Sequence, residues 1–431
     1  MEASLQRDLP PHASSAGAAR ALVRIALEQN GLEAWADSAE LALSEIVTNA
    51  FLHAGTALQV HVRTASDGLR VEVADGSPHL PVQRDYSSSS GTGRGMRIVS
   101  ELVDEWGAFA HGDGKVVWFE IRAESQTQGE AFARVDSSPT PPKDTVEVEL
   151  LNFPLLMHAA WQEHSSALLR EFLLLHLDDD ETASVERHSQ ASDALNVLYE
   201  QTPELQLHDD PDDIMASATE PGVSVGRLVL AIPRTTVPHF QALDAMLDDA
   251  IDYSISGGML GPPTQPEMRD MRRWVCQQVR EQSAGAAVAE PWAADVDAAP
   301  PADFSISPGW DPTEISESAR ALLATDDASR IVAASPLALS LLGYQHEEQL
   351  LGERIIRIVP ARYHQAHIAG TTLHVTNGRS PLLGVRVTVP VVRADGTETP
   401  MGLEVRPRSL PGGRRLFVAE FFVADATEPS G

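Results

Sequence analysis

Apolar residues recur at helical spacing over residues 12–30 and again over 36–54, where Asp37-Ser38 supplies a start signal. Residues 57–64 and 68–74 have strand patterning and are joined by Ser66-Asp67-Gly68, which predicts a hairpin. A helix is predicted over 95–105. Strands follow over 107–111 and 115–122, around Gly112-Asp113-Gly114. Helices beside antiparallel hairpins indicate an α+β sandwich. The middle of the chain is predicted to be mostly helical, from Leu155 to Leu177, Ser189 to Tyr199 and Val237 to Ile255. The last third predicts strands near 321–325, 331–334, 385–393, 400–406 and 415–423. Short helices are predicted around 336–342, 347–351 and 361–376, and Asp395-Gly396 and Gly412-Gly413 mark hairpin turns.

Breaker-rich stretches divide this pattern. Ser137-Ser138-Pro139-Thr140-Pro141-Pro142 and the Ala, Pro and Asp-rich run 284–312 read as linkers. The resulting organisation is an α+β domain over 10–124, a linker over 125–145, an acidic helical region over 146–283, a linker over 284–312 and an α+β domain over 313–425. No internal repeat at solenoid periods is present.

Charge sharpens the picture. The 431 residues carry a formal net charge of -30, of which residues 125–302 hold -20. Nucleic-acid affinity rests on clustered Lys and Arg, so no nucleic-acid partner is expected, and the acidic middle suits basic partners. The single cysteine, Cys276, closes no intrachain disulfide and supports no cysteine-cluster zinc site. No apolar run reaches the length of a membrane span, and Met1-Glu2-Ala3-Ser4 does not open a signal peptide. A cytoplasmic protein without membrane contact is expected. Lysine occurs only at 115 and 143, which reads as a composition bias.

Three features then occur in order. The second helix carries Glu45 and Asn49, four apart and therefore on one face. The second strand ends in Asp75-Gly76-Ser77-Pro78. A Ser-rich loop, with Ser87-Ser88-Ser89-Ser90, leads into Gly91-Thr92-Gly93-Arg94-Gly95-Met96, which opens a helix. Singly, these are a solvated stripe, a turn after a strand and a weak Gly-rich signal that lacks the P-loop lysine.

Taken together, they resemble the GHKL nucleotide-binding superfamily of histidine kinases, Hsp90, gyrase-type ATPases and anti-sigma serine kinases. The anti-sigma-factor kinase type is the nearest. The resemblance rests on Ser44-Glu45-Ile46-Val47-Thr48-Asn49-Ala50, His53-Ala54, Gly93-Arg94-Gly95-Met96-Arg97-Ile98-Val99, Trp106-Gly107, and Lys115 with Trp118-Phe119-Glu120. It implies ATP and Mg²⁺ as cofactors. Asn49 would supply an oxygen to the metal, and Glu45 would be the general base toward a nucleophile approaching the γ-phosphoryl group. Asp75 would accept from the adenine amino group, and Gly76 would let the base approach the backbone. Gly91, Gly93, Arg94 and Gly95 would cradle the phosphates at a helix N-terminus. The family's supporting hydroxyl in the last strand is absent, since Val116 and Val117 stand there.

A sigma factor or a small antagonist protein is the partner this type implies. The alternative is a non-catalytic, ATP-responsive interaction switch. His158 and His164, in Met-His-Ala-Ala-Trp-Gln-Glu-His-Ser, read as partly exposed structural histidines and lack the phosphoacceptor pattern of histidine kinases. The run Glu163 to Phe172 resembles helical regions between nucleotide-binding and sensor modules in bacterial signalling proteins, and reads as a spacer or dimerisation element. Residues 318–424 resemble a PAS domain through Leu322-Leu323 to Ile331-Val332, Ser335 to Gly343-Tyr344, Leu351-Gly352, and Arg393-Ala394-Asp395-Gly396. That resemblance implies sensing or homodimerisation. With no Cys there, a flavin photoadduct is excluded. His367, on Pro360 to His367, falls where haem-binding PAS domains carry their iron ligand.

Overall fold

In the first unit, β1 (Ala3–Leu9), α1 (Ser15–Asn30), α2 (Ala36–Ala54), β2 (Leu58–Ala65), β3 (Gly68–Asp75), α3 (Arg94–Leu102), β4 (Glu105–His111) and β5 (Gly114–Arg122) follow one another. The computed structural model describes residues 3–80, 94–122, 144–176, 181–205, 210–293, 310–410 and 414–423, apart from 13, 66, 67, 113, 286 and 287. The turn residues Ser66-Asp67 and Gly412-Gly413, the loop 81–93 with Gly91 and Gly93, the run 137–142 and the acidic residues 178–180 lie outside them.

The five strands form one antiparallel sheet in the order β1-β2-β3-β5-β4. One face is covered by the helices. On α2 the buried residues Ala39, Ala42, Leu43, Ile46, Val47 and Ala50 repeat every three or four positions and meet Val60, Val62, Val71, Val73 and Phe119 of the sheet. Each fully buried Leu, Ile or Val contributes roughly 1.5–3 kcal/mol. That stripe fixes the rotation of α2, so Glu45 and Asn49 lie half-buried at the edge of the core.

The middle unit contains β6 (Thr145–Phe153), α4 (Leu155–Leu175), α5 (Glu181–Gln201), α6 (Pro211–Ser217), β7 (Val225–Pro233), α7 (Val237–Ile255) and α8 (Pro266–Ser283). Helices dominate, but β6 and β7 pair antiparallel, which the helical expectation omitted. The stretch expected as the second linker begins docked. Trp292 is buried, its N–H donates to Leu151 O at 2.9 Å, and Asn152 Nδ2 donates back to Trp292 O at 2.8 Å.

The third unit contains α9 (Thr313–Ser316), β8 (Leu322–Asp326), β9 (Ile331–Ala334), α10 (Pro336–Leu342), α11 (His364–Asn377), β10 (Arg386–Val392), β11 (Glu398–Ser409) and β12 (Arg415–Val423). Its antiparallel sheet has the order β10-β11-β12-β8-β9. The whole described chain is α+β. Helix α11 packs on α4, and Ile368, Ala369 and Leu373 belong to the same apolar core as Trp161, Leu168 and Leu169. Gln365 Oε1 accepts from Leu156 N at 3.0 Å and Met157 N at 3.2 Å, satisfying two N–H groups at the start of α4. Among the described residues no helix is long and apolar enough to cross a membrane.

Candidate nucleotide site

Residue 95 lies so close to α2 that any side chain on it would displace the polar groups there. A Cβ on it would lie 2.7 Å from Glu45 Oε2 and 3.2 Å from Asn49 Nδ2. The second residue of α3 therefore presses against the polar face of α2. Three residues expected from sequence to act together, Glu45, Asn49 and Gly95, are brought to one place. They stand beside the N-terminal end of α3, where unpaired backbone N–H groups favour an anion. Arg94 opens α3, Arg97 is exposed 3.6 Å from Glu101 one turn on, and Gly91 and Gly93 lie outside the described residues.

Asp75 closes β3 and is buried. Its Oδ1 accepts from Ser77 N at 2.8 Å and from Lys115 Nζ at 3.0 Å, while Oδ2 is buried with no hydrogen-bond partner. A buried carboxylate oxygen is costly to leave unpaired, and this one has the chemistry to accept from an amino group. Gly76 N donates to Thr56 Oγ1 at 2.8 Å, and a Cβ on Gly76 would come within 3.0 Å of that hydroxyl.

The partner of Asp75 differs from the sequence expectation. The sequence puts the family's hydroxyl position at Val116 or Val117. In the register, Val116 faces Ala74 and Val117 faces Val73, whereas Lys115 faces Asp75. An ammonium group therefore does the supporting. Burial pushes the Asp75 carboxyl up and the Lys115 ammonium down, and their mutual attraction opposes both shifts.

A second contact was not foreseen. His79, four residues after Asp75, donates from Nδ1 to Glu200 Oε1 at 2.9 Å and from Nε2 to Asp193 Oδ1 at 2.7 Å. Both carboxylates belong to α5. Asp193 also takes His239 Nδ1 on α7 at 2.6 Å. Burial alone would lower the His79 pKa, but the two carboxylates outweigh it and raise it to about 9. Helix α5 also reaches α2. Ser189 Oγ donates to Ala54 O at 2.7 Å, and Phe51 and Leu52 of α2 cluster with Leu173 and Val185.

The other candidates fall away from this site. His158 and His164 are buried, contrary to the partly exposed expectation. His164 is hydrogen-bonded to Thr264 and Thr376, and burial lowers its pKa to about 4. His158 packs its ring against Phe153 and Trp161. Neither presents a free imidazole to a phosphoryl donor. His367 has a buried Nδ1 without a hydrogen-bond partner, and burial, with the nearby Arg354 charge, lowers its pKa to about 4. A neutral imidazole suits ligation. The inner side of that sheet, however, is filled by Leu323, Ile331, Leu342, Tyr344, Met401 and Phe421 in one apolar cluster, so we assign no haem to it.

The ATP–Mg²⁺ expectation fits the residues present, on two observations: the unpartnered Asp75 Oδ2, and the close approach of Gly95 at the start of α3 to Glu45 and Asn49.

Residues 9–121 match the family described as histidine kinase-like ATPase domain. A protein of Azorhizobium caulinodans, described as uncharacterized, is 32% identical over 108 residues. The match covers 25% of this chain and only 14% of the length of that relative. Among solved structures, the Rhodobacter sphaeroides LOV protein is similar at 20% identity, over 27% of this chain and 66% of that one, with a TM-score of 0.22. The PAS domain of an HTR-like protein from Haloarcula marismortui is similar at 18% identity, over 26% of this chain and 85% of that one, with a TM-score of 0.21. The chain thus carries a histidine kinase-like ATPase domain at its N-terminal end.

Proposed function

We propose that this protein is a cytoplasmic signalling regulator that binds ATP with Mg²⁺ through residues 9–121 and acts as an anti-sigma-type serine kinase. The observation that carries the reading is the meeting of Glu45, Asn49 and Gly95 at the start of α3. Bound ATP–Mg²⁺ would supply a transferable γ-phosphoryl group. Asn49 would offer its side-chain oxygen to the metal. Asp75 Oδ2 would accept from the adenine amino group. Glu45, one turn before Asn49, would take the proton from a serine hydroxyl of the protein substrate as that oxygen attacks the γ-phosphorus, the bond from it to the bridging oxygen breaks and ADP leaves. The partner is a sigma factor or its small antagonist, and the C-terminal unit senses a ligand or dimerises in the manner of a PAS domain.

A non-catalytic switch is the second reading, favoured by the docking of α5 beside the site through His79, Asp193 and Glu200. Phosphotransfer from labelled ATP to a candidate antagonist separates the two. Turnover that falls by about 10²–10⁴-fold in Glu45→Ala supports the kinase. ATP binding without transfer to any candidate supports the switch. Wild-type turnover in Glu45→Ala rules Glu45 out as the base.

A further inference from the structure

Both described donors to Asp75 act on one oxygen. Lys115 Nζ and Ser77 N each donate to Oδ1, at 3.0 and 2.8 Å, while Oδ2 is buried and unpartnered. The side chains are nearly sealed from water, at 0% exposure for Asp75 and 8% for Lys115. The two strands are locked in this register. A Cβ on Gly114, the residue before Lys115, would lie 1.9 Å from Asp75 O, so the lysine enters through a close backbone approach. Ionised, this carboxyl is an acceptor only. Protonated, it would offer an O–H donor from the same place.

We propose that Lys115 is the positioning residue that sets the base choice of the nucleotide site: its ammonium occupies Asp75 Oδ1, so that Oδ2 faces an incoming purine as a pure acceptor that takes a 6-amino group and rejects a 6-oxo group. This rests on the nucleotide reading above and deepens it.

The consequence of losing the ammonium follows from burial. Desolvation already pushes the Asp75 carboxyl up, and Lys115 is the largest influence opposing it. The other groups nearby do not replace it. Ser77 contributes one neutral N–H, Glu200 of α5 is an acid that acts on Lys115, and the charge of His79 is taken up by Glu200 and Asp193. Without Lys115 the balance moves further towards the protonated carboxyl, whose O–H can donate to the carbonyl of a 6-oxo purine. Discrimination between amino and oxo purines is then lost.

The test compares direct binding of ATP and ITP to the full chain, since the two share ribose and triphosphate and differ at position 6. In the wild type ATP binds more tightly than ITP by at least about fivefold, the cost of two facing acceptors. In Lys115→Met that ratio collapses to near one or inverts, and Lys115→Arg restores it. A purely structural lysine would weaken both nucleotides alike, so an unchanged ATP-to-ITP ratio in Lys115→Met overturns the proposal. If Lys115→Met does not fold, Asp75→Asn decides. Its amide, with oxygen held by Lys115 and Ser77, puts an N–H₂ donor at the second position and should invert the preference. A retained preference for ATP in Asp75→Asn overturns the proposal. Wild-type protein that binds neither nucleotide refutes the nucleotide reading itself, whereas equal wild-type affinity for both leaves nucleotide binding intact and overturns only the base choice.

Discussion

His79 and Glu200, 121 positions apart in the chain, share a 2.9 Å hydrogen bond between the first unit and the middle unit. With Asp193 on its other ring nitrogen, His79 is held as a cation. Its folded pKa, about 9, lies above the ordinary 6.5. A raised pKa means the stabilisation is fully present below pH 6.5 and is lost as pH rises through about 9. Its size is of the order of 2–4 kcal/mol, since the imidazole is mostly shielded. Thermal melts of the wild type should therefore fall between these two pH values, and His79→Gln should lack that slope. Parallel melting of the two proteins across the range would contradict the clamp.

Gly95→Ala places a methyl group where Glu45 Oε2 and Asn49 Nδ2 now sit. The Glu45 side chain can swing away, so the fold should survive with little change in melting temperature. ATP–Mg²⁺ affinity should fall by about tenfold, ~1.4 kcal/mol. Calorimetric titration beside a thermal melt reads both, and an unchanged affinity removes Gly95 from the site.

Two glycines of the β4–β5 hairpin should behave differently. At Gly114 a Cβ would collide with Asp75 O, whereas at Gly112, with φ +59°, it meets nothing within 4 Å. Gly114→Ala should cost about 1–3 kcal/mol or more through overpacking. Gly112→Ala should cost roughly 1 kcal/mol from backbone strain alone. Urea denaturation that ranks them in the reverse order would contradict the register of β3 against β5.

The first unit was largely readable because its signals are local. The stripe Leu43, Ile46, Val47 and Ala50 fixes α2 and with it the shared face of Glu45 and Asn49. Edge strand β1 was missed, since its pairing with β2 joins residues 49 to 61 positions apart. The same holds for β6 and β7: Val148 and Leu150 alternate with polar residues, but their partners Leu230 and Leu228 lie beyond two long helices. Helix α8 was hidden by charge. Arg272 lies within its buried stripe, paired with Asp244 and Asp248 of α7, so the apolar period looked broken. At the site, Asp75 could be read from its motif, but its pairing with Lys115 is set by strand register. The His79 clamp joins the loop after β3 to α5, and no local pattern encodes such a contact.

A metal-dependent ATP site built on α2 within residues 9–121 has a direct signature in binding. Titration of ATP into the full chain, with and without Mg²⁺, for the wild type and Asn49→Ala tests it most directly. Saturable wild-type binding that is tighter with Mg²⁺ is expected, together with an Asn49→Ala protein that keeps its fold and loses the metal-dependent gain. Wild-type affinity that is the same with and without Mg²⁺, or an Asn49→Ala protein that retains the full gain, would contradict it.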